Sequence, residues 1–327
     1  MNESESEVES FQNQQVNAVG VDAVGESVAQ AVECREWHNL PRERKSMACD
    51  EYKSSHANGE DAGVRSFEQN DLSHVRHVIG VVSGKGGVGK SMVTGILATE
   101  LARAGMSVGI LDADITGPSI PRMFGLGHGQ VTALGDLMLP PVTSTGIKVM
   151  SANLILPDES DPVLWRGPVL AGAIRQFWSD TSWGPLDCLL VDMPPGTGDV
   201  ALTVFQSLPV DGIVIVTSPQ DLVSMVVGKA VKMAQQMDVP ILGLVENMSY
   251  AVCPDCGRHI EVFGPSHVGE CAAKYGLEVL GTLPINPALA DAADHGRIEE
   301  ALEGGVLGDA LSRVRELVDD ADDKSQD

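Results

Sequence analysis

Gly84-Lys85-Gly86-Gly87-Val88-Gly89-Lys90-Ser91 fits the spacing G-x-x-x-x-G-K-[ST] of a phosphate-binding loop. An apolar run over residues 77–83 precedes it and a helical pattern starts at Lys90, the strand–loop–helix context such a loop needs. The residue types follow from the task. Glycines let the backbone curl until successive N–H groups face one anion. The helix N-terminus adds its dipole. Lys90 supplies a point charge for the terminal phosphates, and the Ser91 hydroxyl is a ligand for Mg2+. The stretch therefore predicts a site for ATP with Mg2+ built from Gly84, Lys85, Gly86, Gly87, Val88, Gly89, Lys90 and Ser91.

Outward from the loop, near-continuous apolar runs recur at 77–83, 107–112, 147–151, 187–192, 212–217, 241–246 and 278–282. Such runs mark strands buried on both faces. Helical stretches lie between them, at 90–104, 169–179, 201–207 and 222–237. The alternation predicts parallel βαβ units, hence an α/β fold with a doubly wound, mostly parallel sheet flanked by helices. Ligands of such a sheet sit beyond the carboxyl ends of its strands, where every motif below falls. The domain is expected over 75–318, with its last helix at 298–318 and an acidic tail at 319–327. Residues 1–74 are rich in Glu, Ser, Gln and Asn and show no sustained apolar period. A mostly disordered tail is expected there, with a short helix at 21–32.

The 327-residue chain is 43% hydrophobic, enough for one large core or two small ones. Asp and Glu number 46 against 22 Lys and Arg, a formal net charge of −24. That field repels nucleic acid and anionic membrane, which both need basic patches, so neither is an expected partner. It also suits a high-salt cytoplasm, where screening removes self-repulsion. No run of eighteen apolar residues is present to span a membrane, and acidic Met1-Asn2-Glu3-Ser4-Glu5 lacks the apolar core of a secretory signal. A soluble, cytoplasmic protein is expected. Six cysteines in a chain this long do not make a disulfide scaffold. Cys34, His38 and Cys49 match no metal-ligand spacing.

Two acidic stretches accompany the loop. Leu111-Asp112-Ala113-Asp114 ends a strand, and two carboxylates two residues apart there can face one Mg2+ and one water. The apolar run ending at Asp192 has the Walker B pattern, a buried strand delivering one carboxylate to the metal's surroundings. Pro194-Pro195-Gly196 then turns the chain sharply, and Gly196 and Gly198 leave it free to move on hydrolysis. Cys253-Pro254-Asp255-Cys256-Gly257 makes a tight knuckle with both thiols pointing one way. On spacing alone it fits a redox dithiol, half a zinc site or half an iron–sulfur site. Zinc or a cluster wants four ligands and no second such pair exists in the chain, so a two-fold dimer would complete either.

Lys85, just after the first glycine, resembles the second lysine of the deviant-Walker class that includes MinD, ParA and the nitrogenase iron protein. The resemblance implies that Lys85 reaches across a homodimer interface to the partner's nucleotide, as an arginine finger does. It sharpens at Asp112-Ala113-Asp114-Ile115-Thr116-Gly117-Pro118-Ser119-Ile120-Pro121, Asp161-Pro162-Val163-Leu164-Trp165-Arg166-Gly167-Pro168, the run from Asp192 to Asp199, Thr217-Ser218-Pro219-Gln220-Asp221 and Glu246-Asn247-Met248-Ser249-Tyr250. These are similar to Mrp/ApbC-type iron–sulfur carrier ATPases over residues 77–297. The likeness implies a slow ATPase that holds a [4Fe–4S] cluster between the cysteine pairs of two subunits. Its partners would be assembly scaffold proteins and apo iron–sulfur client proteins. It also implies that Asp114 orients the attacking water, Asp112 supports Mg2+ through its waters, the Asn247 amide meets the adenine edge and Pro284 packs on the ring. The chain departs from the family at Met92, where a hydroxyl residue is usual, and in lacking the small N-terminal domain of many members. Cys34 and Cys49 do not supply the N-terminal four-cysteine cluster of related eukaryotic scaffolds. Two alternatives share the fold: a MinD/ParA-like positioning ATPase, disfavoured by the acidic C-terminus and net charge, and a zinc-bridged nucleotide-dependent scaffold.

Overall fold

The computed structural model describes residues 68–114, 117, 119–155, 167–219, 223–302 and 304–324. The N-terminal stretch to residue 67, with the expected helix at 21–32, and the segment 161–166 lie outside them. The strands are β1 (Ser73–Ser83), β2 (Val108–Asp112), β3 (Thr132–Leu134), β4 (Leu137–Leu139), β5 (Lys148–Ser151), β6 (Gly184–Asp192), β7 (Gly212–Thr217), β8 (Ile241–Glu246), β9 (Ala251–Val252), β10 (His259–Ile260) and β11 (Val279–Thr282). The helices are α1 (Lys90–Arg103), α2 (Ile120–Met123), α3 (Gly167–Ser179), α4 (Asp199–Phe205), α5 (Val223–Gln236), α6 (Val268–Tyr275), α7 (Pro287–Asp294), α8 (Ile298–Ala301) and α9 (Gly308–Lys324). Among the described residues, seven strands form one sheet in the order β11-β8-β7-β1-β6-β2-β5. Every neighbouring pair in it is parallel. The expected doubly wound α/β fold is therefore the observed one.

The apolar runs form strands because both faces of the sheet are covered. Ile79 and Val81 of β1, Ile110 of β2, Leu190 of β6, Val214 and Val216 of β7 and Val245 of β8 share a core with Val93, Ile96, Leu97 and Leu101 of α1. The helix α5 packs on β7 and β1. Alternate strand residues thus serve different layers, as the pleat requires. Chain order along the sheet reverses about β1: β2, β5 and β6 lie on one side of it, and β7, β8 and β11 on the other. Register then sets the functional edge. Val81 pairs with Asp192, Asp112 pairs with Asp192, and Thr217 pairs with Glu246, so the carboxyl ends of β1, β2, β6, β7 and β8 finish close together.

Several bounds differ from expectation. β1 begins at Ser73 rather than 77, held by Gln69 side-chain bonds to Val75 and by Asn70 bonds to the Ser179 and Thr181 carbonyls. The helix expected at 298–318 is two, α8 and α9, separated at Gly304-Gly305, where Gly305 has φ 88. The acidic segment expected as a tail continues α9 to Lys324. Among the described residues, no helix is long and apolar enough to cross a membrane.

Candidate functional site

The loop between β1 and α1 curls because Gly87 (φ 80) and Gly89 (φ 77) take left-handed backbone that L side chains resist. Gly84 has a different constraint. A Cβ there would lie 2.4 Å from Val226 Cγ1 and 2.5 Å from the Val226 carbonyl oxygen, so only glycine lets α5 come this close. Val88 turns its side chain into the core, and its carbonyl accepts a hydrogen bond from Asn247 Nδ2 at 3.0 Å. Lys85 is partly exposed beside it. Two left-handed glycines leading into a helix N-terminus are the geometry that receives phosphate oxygens.

Asp192, fully buried at the end of β6, is where the loop's polar side chains converge. Its Oδ1 accepts from Lys90 Nζ at 2.5 Å, and its Oδ2 accepts from the Ser91 hydroxyl at 2.5 Å. The Thr94 hydroxyl lies 3.0 Å from Oδ1 and 3.1 Å from the Lys90 carbonyl, sharing one proton between them. Sequence reading missed Thr94. The only signal was its place four residues after Lys90, on the same helix face. A carboxylate and a hydroxyl adjacent beneath a phosphate loop are the hard oxygen donors that Mg2+ takes.

Asp112, also fully buried, lies abreast of Asp192 on the next strand. It accepts from the Asp114 N–H at 3.2 Å, the Ser151 hydroxyl at 3.2 Å and the Ile120 N–H at 3.4 Å. Burial and then the Asp192 charge push its carboxyl well above the ordinary range, with Lys90 offsetting part of this. Asp114 is partly exposed at the mouth of the same loop. The second acidic stretch is tied to β1, with Met193 N–H donating to the Val81 carbonyl and Gly196 N–H to that of Ser83. Gly196 has φ 89.

Asn247 is buried directly after β8, and its amide is engaged at both ends. Nδ2 donates to Val88, and Oδ1 accepts from the Met248 N–H at 2.9 Å. It faces the loop's backbone, whereas sequence reading expected only an adenine edge. Pro284 lies on the neighbouring segment, between Leu283 and Ile285, whose backbones bond to those of Ser249 and Tyr250. Met92 is partly buried against the core of α1, so its side chain is packed rather than offered to a phosphate.

The cysteine pair caps the antiparallel hairpin β9–β10. Cys253 N–H donates to the Arg258 carbonyl and Gly257 N–H to that of Cys253, both at 2.9 Å, and Gly257 turns the chain at φ 70. Both thiols are free, Cys253 partly exposed and Cys256 exposed. Hydrogen bonds from the backbone N–H of Cys256 and then of Asp255 hold the Cys253 thiol below its ordinary value. That favours the thiolate, the form that binds soft metals. Cys188 and Cys271 are buried, and burial pushes the Cys188 thiol up to about 12. Among the described residues, no three His, Cys, Asp or Glu side chains converge to hold a metal, so this pair offers two ligands and no more.

Comparison with known proteins follows the same lines. The family model for ParA-type, NUBPL iron-transfer P-loop NTPases matches residues 74–316. An iron-sulfur cluster carrier protein of Clostridium perfringens is 50% identical over 237 residues, 70% of this chain and 83% of its own. That of Methanocaldococcus jannaschii is 47% identical over 238 residues, 72% of this chain and 81% of its own. Among solved structures, a nucleotide-binding protein of Archaeoglobus fulgidus in complex with ADP is 46% identical, with TM-score 0.64 over 70% of this chain and 90% of that one. The Pyrococcus furiosus cell division ATPase MinD, at 18% identity and TM-score 0.52, shares the fold.

Proposed function

The chain belongs to the iron-transfer P-loop NTPases, and we propose that it is an ATP-hydrolysing carrier that holds a [4Fe–4S] cluster between two copies and passes it to apo-proteins. The observation that supports this most directly is a solvent-accessible thiol pair, its Cys253 acidified, with two ligands per chain, close in sequence to Asn247 at the phosphate loop. Two copies related by a two-fold axis supply the four thiolates a cluster takes. A cargo held by two exposed ligands from each copy can be exchanged one side at a time.

The proposed residue roles draw on this geometry and on the family resemblance. Inward N–H groups of the Gly84–Ser91 loop cradle the phosphates of ATP. Lys90, held by Asp192, directs its remaining ammonium protons to the terminal phosphates. Mg2+ would be held by Ser91 with Asp192 beside it, and would supply neutralisation of the phosphate charge. Asp112 orders the backbone that carries Asp114, and Asp114 orients the attacking water. The partner copy's Lys85 stabilises charge on the transferring phosphoryl group. Asn247 and Pro284 border the adenine.

Anaerobic reconstitution of the full chain with iron and sulfide, followed by metal analysis and transfer to an apo-enzyme, tests this. The expected result is about two irons per chain and restored activity of the acceptor. Cys253→Ala should lose the cluster and keep ATP binding. Zinc alone with no transfer would establish the nucleotide-dependent scaffold instead.

A further inference from the structure

The phosphate loop and the cysteine hairpin are joined by a short bonded track. Asn247 packs so closely on the loop that a Cβ at Gly89 would lie 2.2 Å from its Nδ2. The Asn247 N–H is fixed to the Thr217 carbonyl at the end of β7. Met248 follows in left-handed backbone, φ 60, which a non-glycine residue adopts only where neighbours impose it. The Ser249 N–H donates to the Leu283 carbonyl, the Ser249 hydroxyl reaches Glu246, and the Tyr250 carbonyl accepts from the Ile285 N–H at 2.7 Å. The Tyr250 ring stacks on His259, centroids 3.9 Å apart and planes 13° apart, across the hairpin that ends in Cys253 and Cys256. From Val88 to Cys253 the connection has no slack residue.

We infer that Asn247 and the Tyr250–His259 stack are positioning residues that couple nucleotide binding to the setting of the cysteine pair. A loop that turns its N–H groups inward to phosphate turns carbonyls outward, and the Val88 carbonyl then meets the Asn247 amide. The Asn247 bond therefore stabilises the phosphate-binding form of the loop. Linkage is reciprocal: if this contact strengthens nucleotide binding, nucleotide strengthens the contact and orders the segment it heads. Tyr250 transmits that order to the hairpin, because its ring adds a side-chain contact with His259 to the backbone ladder that joins the two strands. This builds on the cysteine pair being the cargo site, but its test needs no cluster.

The experiment is alkylation of cluster-free full-length protein with iodoacetamide, with and without Mg·ATP, resolved by mass spectrometry of the peptide holding Cys253 and Cys256. In the wild type, saturating nucleotide should slow alkylation about fivefold. Tyr250→Phe, which keeps the stack, should retain that ratio. Tyr250→Leu should bring it to unity while ATP affinity falls by no more than the same roughly fivefold factor, and His259→Ala should do the same should Tyr250→Leu fail to fold. A wild-type rate indifferent to nucleotide overturns the coupling. So does full protection surviving in Tyr250→Leu or His259→Ala, which would assign the protection to subunit contact. A chain that shows the coupling but takes up no iron would overturn the carrier reading alone.

Discussion

The fully buried Asp192 carboxylate accepts hydrogen bonds from Lys90, Ser91 and Thr94, so each donor changes the charge that the others feel. Thr94 is the one of the three outside the phosphate-binding motif. A hydrogen bond to a charged group contributes about 1.5–3 kcal/mol. Thr94→Val keeps the shape and removes the donor, which leaves Asp192 holding Lys90 and Ser91 more tightly and their geometry less suited to the terminal phosphates. Turnover at saturating ATP should fall roughly tenfold with KM little changed. Steady-state hydrolysis checks this, and an unchanged kcat would reduce Thr94 to packing. The glycines, Lys90, Ser91 and the acidic residues were legible in the sequence because backbone curl and phosphate charge restrict those positions to few residue types. Thr94 was not, because a threonine in a buried helix has many uses. The engagement of Asn247 with Val88 was hidden for a related reason: the partner is a backbone carbonyl, which leaves no trace in residue identity.

At the scale of elements, the helix α8 acts through one residue. Glu299 is buried and accepts hydrogen bonds from the Thr143, Ser144 and Thr145 hydroxyls and from the Ser144 and Thr145 N–H groups, fastening the turn before β5 to the C-terminal helices. Burial pushes its carboxyl up, but the bonds from Ser144, Thr143 and Thr145 together hold it below its ordinary value. A carboxyl lowered by folding adds stability above its unfolded value and loses it as pH falls through its folded value. Glu299→Gln should therefore cost roughly 2 kcal/mol at pH ~7, and the gap to wild type should close below pH ~4. Thermal melts at the two pH values decide it, and a constant gap would mean that the charge is not involved. The sheet strands were legible because two-sided burial writes itself as continuous apolar runs. The break between α8 and α9 was not, because apolar spacing carries on across Gly304-Gly305 and masks the stop. Hairpins β3–β4 and β9–β10, with strands of two or three residues, are too short to leave a period.

For the whole molecule, two independent features call for a second copy. In the proposed reading the Cys253–Cys256 pair supplies half of a four-thiolate set, and the resemblance implies that Lys85 acts across subunits. The chain carries a formal net charge of −24, so association of two copies would bring together two strongly like-charged bodies. Long-range repulsion of this kind decays with the Debye length, about 10 Å at 0.1 M salt and about 30 Å at 0.01 M. The contacts proposed to hold the copies together, bridging thiolates and a lysine directed at phosphate, are short-range, and salt screens them less than the long-range field. The balance fixes a sign. With Mg·ATP saturating, the dimer should tighten as salt rises from about 0.02 to about 0.5 M, the reverse of an interface held by surface ion pairs. Lys85→Ala should weaken it at every salt concentration. Sedimentation velocity across that range tests both, and a dimer that loosens with added salt would show that complementary surface charge, rather than the shared sites, holds the two copies together.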